Sequence, residues 1–152
     1  MEPRDIYQIH LDHVSRALWD RDWEESVGYW TYPHVMKTVD GVGTVYGAEE
    51  MIVYSKAFRE RMAGLGATAY HRVCVSAQYD PADNDRILGR HRTYILRGGN
   101  YLVPPYDCDM ILHRAPGIWM SAGISVSISL ETLDQTTLSL ATRPGLSKTA
   151  TG

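Results

Sequence analysis

Along the 152-residue chain the spacing of apolar positions changes near Thr68, from helical to alternating. Within residues 4–20, Tyr7, Leu11, Val14 and Leu18 recur at spacings of four, three and four, one face of a 3.6-residue period. His10 and Ala17 border that face. Asp22 predicts the start of a short second helix, with Glu24 and Glu25 at the positive end of its dipole and Gly28 ending it. His34–Thr38 reads as extended, Asp40–Gly43 as a turn, and Thr44–Tyr46 as a return strand. A third helix over residues 48–63 carries the stripe Met51, Tyr54, Phe58, Met62 and Leu65, with Gly64 and Gly66 as its stop.

Beyond Thr68 the period becomes two. Ala69, His71, Val73, Val75, Ala77 and Tyr79 alternate with Tyr70, Arg72, Cys74, Ser76 and Gln78, and the first set is read as the inner one. Residues 86–113 hold two β-rich runs around Gly98-Gly99-Asn100, residues that tolerate φ > 0 and so predict a hairpin. In the first run Ile87, Gly89, His91, Thr93 and Ile95 share a face; Leu88, Arg90, Arg92, Tyr94 and Leu96 share the other. The two arginines make the first face the interior, which puts His91 indoors at mid-strand. On the return run the face with Leu102, Tyr106, Cys108, Met110 and Leu112 is more apolar than the face with Asp107 and Asp109. After Pro116-Gly117 a last strand alternates Ile118, Met120, Ala122, Ile124, Val126 and Ile128 with Trp119, Ser121, Gly123, Ser125 and Ser127. Past Leu130 the pattern fades. Residues 1–130 are expected to be one domain and 131–152 a tail or extension, within which Thr136–Ala141 could add an edge strand.

Composition narrows the function classes. Apolar content of 44% and charged content of 22% are those of a globular domain, and a net charge of −3 without a basic stripe excludes a nucleic-acid partner. No apolar run reaches membrane-span length, and the N-terminus has no signal-like apolar stretch. With Cys74 and Cys108 outside any CxxC, a reduced cytoplasm is expected. Ten Tyr and four Trp against one Phe suit surfaces that are half wet. The six histidines, at 10, 13, 34, 71, 91 and 113, show neither HExxH nor finger spacing, so no metal is expected. No phosphate loop or GxSxG elbow is present, and no cofactor is implied.

Two helices, a strand pair, a third helix and four long strands make an α+β order. Three local patterns occur in that order: RDWEES after helix 1, YPHVMKT before a Gly turn and helix 3, and the Gly-Gly hairpin leading to the Gly117-Ile118-Trp119 strand. Over residues 4–128 the chain resembles the nuclear transport factor 2-like superfamily, which includes ketosteroid isomerase, scytalone dehydratase and polyketide cyclases, and most of all its small uncharacterised bacterial members. The resemblance implies a cystatin-like, cone-shaped α+β barrel: three helices on a curved, mainly antiparallel mixed sheet, with a pocket between. A gapless count from Gly117 puts the oxyanion-side Asp of ketosteroid isomerase on Asp109. Its helix-1 Tyr falls on Val14 and its base near Thr38, so that particular activity is not implied. Scytalone dehydratase is similar in kind, with two strand-borne histidines, tyrosines and an Asp. Following the resemblance against the periodicity, Asp109 is expected inside.

The candidate catalytic residues are therefore His91, His71 and Asp109. A neutral imidazole exchanges a proton near pH 7, and a carboxylate orients it. Tyr32 and His34, at the mouth, could donate to a ligand carbonyl. Trp30 and Tyr54 would line the wall, with Asp107 near the opening. The expected function is a pocket protein for a small apolar or aromatic molecule, either a cofactor-free isomerase, dehydratase or cyclase, or a non-catalytic ligand-binding or assembly domain. The Ser121/Ser125/Ser127 face and the Leu88/Arg90/Arg92/Tyr94 face predict a homodimer.

Overall fold

The computed structural model describes residues 1–127. Helix α1 (Pro3–Trp19) opens on a proline, where no backbone N–H is needed, and sets Asp5 in its first turn and Arg16 in its last, both matched to the dipole. Helix α2 (Trp23–Val27) runs between Asp22 and Gly28, as its sequence predicts. Helix α3 (Ala48–Gly64) closes in a Schellman motif. The N–H of Gly66, at φ +82, donates to the Ala63 carbonyl at 3.0 Å, and that of Ala67 to Met62 at 2.9 Å.

The strands are β1 (Trp30–Thr38), β2 (Gly41–Val45), β3 (Ala69–Asp80), β4 (Asp83–Arg97), β5 (Asn100–Tyr101), β6 (Tyr106–Ala115) and β7 (Ile118–Val126). Their order is β2-β1-β7-β6-β4-β3, with β5 paired to β4. Among the described residues only β1 and β7 run parallel; the other pairs are antiparallel. Gly98, at φ +59, helps turn the predicted hairpin, and Leu96 pairs with Tyr101. The return run then breaks at Pro104-Pro105, because proline gives no N–H to a ladder, and resumes as β6.

All three helices cover one sheet face. Tyr7 and Leu11 of α1 pack with Cys74, Ile87, Met110 and Leu112. Leu18 and Met62 pack with Ile95, Val103, Tyr106 and Cys108, and Val27 and Met51 with Val45. The architecture is the predicted α+β one. Among the described residues no helix is long and apolar enough to cross a membrane. The expectations for Ile128, Thr136–Ala141 and the 131–152 tail lie outside the described residues.

Of the register shifts in the described sheet, one on β3 and one on β7 break the alternation that the sequence suggests. On β3, Cys74 pairs with His91 but Ser76 with Arg90, so Val75 is an extra residue. On β7, Ser121 pairs with Leu112 and Gly123 with Ile111, so Ala122 is extra. Each bulge exchanges the face of everything on one side of it relative to a strict period of two. Ser121 is thus buried on the inner face while Ser125 lies opposite Asp109 on the outer one; the expected three-serine outer face does not form.

Candidate functional site

The inner face holds a buried polar cluster built from α1, β3, β4 and β6. Its shortest link is between the Tyr7 hydroxyl and Nδ1 of His91, 2.7 Å apart, with both residues fully buried. Gly89 makes this approach possible: the Tyr7 ring lies where a side chain at 89 would begin. Burial, ahead of the nearby Arg72 and His10 charges, pushes the His91 pKa down to about 3, and burial drives that of Tyr7 upward. Both groups are neutral at physiological pH. Whichever of the two donates, the far nitrogen of His91, Nε2, is buried without a partner.

His10 stands one turn along α1 from Tyr7. It is 4% exposed, its ring bonds to the Trp119 backbone, and its Nδ1 has no partner. Burial, then the Arg72 charge, lowers its pKa to about 3. Arg72 enters from β3 and is 8% exposed; its Nε–H donates to the Ser15 hydroxyl at 2.8 Å, and its guanidinium carbon lies 5.8 Å from the Tyr70 ring centroid. Gln8 fixes the strand here. Its amide donates to the Arg72 carbonyl at 2.9 Å, and its Oε1 accepts from the Cys74 N–H at 2.7 Å. Thr93, Tyr106 and Cys108 complete the inner wall, and burial raises the Cys108 thiol to about 11.

A second polar group lies where β1 meets β7. His34 is fully buried, its Nε2 is 3.2 Å from the Ser121 hydroxyl, and burial lowers its pKa to about 4. The Trp30 ring stacks on it, centroids 4.4 Å apart, and neither His34 Nδ1 nor Trp30 Nε1 has a partner. Tyr32 donates to the Val27 carbonyl at 3.0 Å and so ties β1 to α2. Tyr54 faces outward and donates to Glu50 at 3.4 Å.

The structure separates the three residues expected to act together. His91 is inside. His71 pairs with Tyr94 on the outer face and is exposed, because the Val75 bulge turns the first half of β3 over. Asp109 is also outside, where it accepts a bidentate bond from Arg90 at 2.8 and 3.2 Å; the apolar parity of β6 prevails over the gapless count. Asp107 does the same with Arg92 at 2.7 and 3.3 Å, which holds its carboxyl below the usual range. Tyr7, His10 and Arg72 were not singled out by the sequence. Tyr7 read as one apolar position among four, and Arg72 fell on the wrong side of the bulge. The signal that could have found the pair is Gly89, a glycine in mid-strand, which marks close approach by another group. Among the described residues no three His, Cys, Asp or Glu side chains are grouped to hold a metal ion.

The outer face carries an open groove of about 780 Å³. Its lining includes the apolar Val35, Leu88 and Ile111 and the charged Lys37, Arg86, Arg90 and Asp109.

No family model and no curated protein matches the chain. Solved structures match its fold. A nuclear transport factor 2-like protein with a cystatin-like fold from Novosphingobium aromaticivorans superposes with a TM-score of 0.65 at 13% identity, over 83% of this chain and 81% of that one. Aln2 from a Streptomyces species gives 0.64 at 12%, over 86% and 93%. A domain of unknown function with a cystatin-like fold from Nostoc punctiforme gives 0.63 at 12%, over 86% and 81%. Likeness at such identities is likeness of fold: the chain has the cystatin-like fold of the nuclear transport factor 2-like proteins.

Proposed function

We propose that this protein binds a small, largely apolar molecule between the sheet and the helices, with the neutral Tyr7–His91 pair as its hydrogen-bonding element. One observation carries the reading: His91 Nε2 is a buried ring nitrogen without a partner, beside a tyrosine that holds the other ring nitrogen at 2.7 Å. An unpaired polar atom in an apolar interior costs about 1–3 kcal/mol, which a ligand hydroxyl or carbonyl would recover. The side chains packed between helices and sheet beyond this pair, among them Leu18, Met62 and Ile95, are apolar, which suits the rest of such a ligand. Recognition is favoured over acid–base catalysis because an imidazole with a pKa near 3 exchanges protons poorly at neutral pH, and the expected partners His71 and Asp109 face the other way. The test is a titration of the protein with indole and cyclohexanol, followed by the His91 ring resonances. A saturable shift supports binding there; unmoved resonances at millimolar ligand refute it.

The outer groove supports a second proposal, a two-fold homodimer. Its lining combines apolar residues with both signs of charge, as a patch that meets its own copy requires. Sedimentation at micromolar concentration should give twice the chain mass, and Ile111→Glu should return the monomer. A wild-type monomer would end the proposal. We place the protein in the cytoplasm on the strength of two buried free thiols, Cys74 and Cys108.

A further inference from the structure

We propose that Arg72 is the anchor for a carboxylate, so that the interior takes a small organic monoanion with an apolar body. The inference rests on the pocket reading above and adds the ligand's charge.

Arg72 is a permanent cation, 8% exposed, on the face covered by the helices. Buried charges are ordinarily paired, because taking an unpaired ion out of water costs several kcal/mol. Among the described residues Arg72 forms no ion pair; its one side-chain hydrogen bond is from Nε to the Ser15 hydroxyl. That bond leaves the two terminal nitrogens, the fork that grips a carboxylate, without a protein acceptor, and since neither is among the fully buried unpartnered atoms the fork keeps an opening to solvent by which a carboxylate reaches it. The carboxylates nearest in register, Asp107 and Asp109, lie on the other side of the sheet and are each engaged by their own arginine.

The neighbours cannot supply the missing charge. The ionisable groups that feel Arg72 come from every layer around it: Tyr7 and His10 on α1, Tyr70 on β3, His91 on β4, Tyr106 and Cys108 on β6. Burial drives the tyrosines and the thiol up and the histidines down, so all six are neutral near pH 7. A single buried cation ringed by neutral hydrogen-bonding groups matches one negative charge. A phosphate dianion would need a second cation, and Arg97, an arginine also on this face of the sheet, is exposed at the end of β4, where it donates to the Leu65 carbonyl at 3.5 Å. His10 Nδ1 and His91 Nε2, both buried and unpartnered, give the same ligand two further polar contacts.

The test compares benzoate with benzamide and hexanoate with hexanamide on the full chain, reading affinity from the His10 and His91 ring resonances and from thermal stabilisation. Each carboxylate should bind at least about tenfold more tightly than its amide, the ratio of one charge-assisted contact. Arg72→Gln should bring that ratio to about one while amide binding persists, and Arg72→Lys should restore part of it. If Arg72→Gln does not fold, the wild-type carboxylate-to-amide ratio and its decline with added salt decide alone. Amides that bind as well as acids, or a preference for acids that survives Arg72→Gln, would overturn the inference and leave the pocket standing. Failure of all four probes to move either histidine would remove the pocket reading, and the inference with it.

Discussion

Gly89 and Tyr7 share one volume: a Cβ on Gly89 would lie 2.1 Å from Cε2 of the Tyr7 ring. The ring belongs to a fully buried side chain hydrogen-bonded to His91, so it has nowhere to retreat. Gly89→Ala usually gains about 0.4–1 kcal/mol by restricting the unfolded chain. Here overpacking should outweigh that gain and cost about 1–3 kcal/mol net. Urea denaturation of the variant checks the sign.

Tyr7→Phe keeps the ring and removes the hydroxyl. Both nitrogens of the buried His91 would then lack partners. A loss of about 1–3 kcal/mol in unfolding free energy is expected. Tyr7→Phe together with His91→Leu should cost less than Tyr7→Phe alone, because the double change leaves no polar atom behind. A double-mutant cycle measures the difference.

Stability should fall in mild acid. His10, His34 and His91 have folded-state pKa values of about 3, about 4 and about 3, all below the ordinary 6.5. Between those values and 6.5 the unfolded chain binds protons that the folded chain refuses. Stability therefore rises with pH across this window and is level above it. Each histidine contributes up to about 1.4 kcal/mol per pH unit, and the three together about 4. Denaturation midpoints at about pH 5 and about pH 7.5 test this, and His91→Gln should reduce the slope by roughly a third.

Gln8→Ala should loosen the edge of the sheet locally. Among the described residues β3 is an edge strand, and Gln8 supplies the acceptor for the Cys74 N–H and a donor for the Arg72 carbonyl. Amide exchange at Cys74 should quicken by at least about tenfold, while Ile87 and Leu112 in the core keep their protection. Uniform acceleration across the sheet would mean that Gln8 acts on global stability.

The elements were legible in the sequence because their signals are local. The Tyr7-Leu11-Val14-Leu18 stripe, the Gly66 stop and the Gly98-Gly99 turn each specify their own few residues. On β4, two arginines on one face were enough to send His91 inward. β3 and β7 were misread because a bulge leaves no mark in the hydrophobic pattern: Val75 and Ala122 look like any other strand residues, and only pairing with the next strand shows that they are extra. Asp109 went wrong differently. The apolar set Tyr106, Cys108, Met110 and Leu112 points correctly, and the count that the resemblance implies points the other way.

The Val75 bulge has a bearing on how this chain can tolerate changes in length. Cys74 already sits opposite His91, and Ser76 opposite Arg90, which are consecutive positions on β4. A chain lacking residue 75 could keep both pairings in unbroken alternation, with Arg72 and Cys74 still directed inward and His71 and Val73 outward. Position 75 is therefore a site where one residue can be dropped without exchanging the faces of the strand. A deletion there would spare the interior cation, whereas a deletion in the middle of β4, where no residue is surplus, would turn one half of that strand over and carry either His91 or Thr93 and Ile95 to the outside.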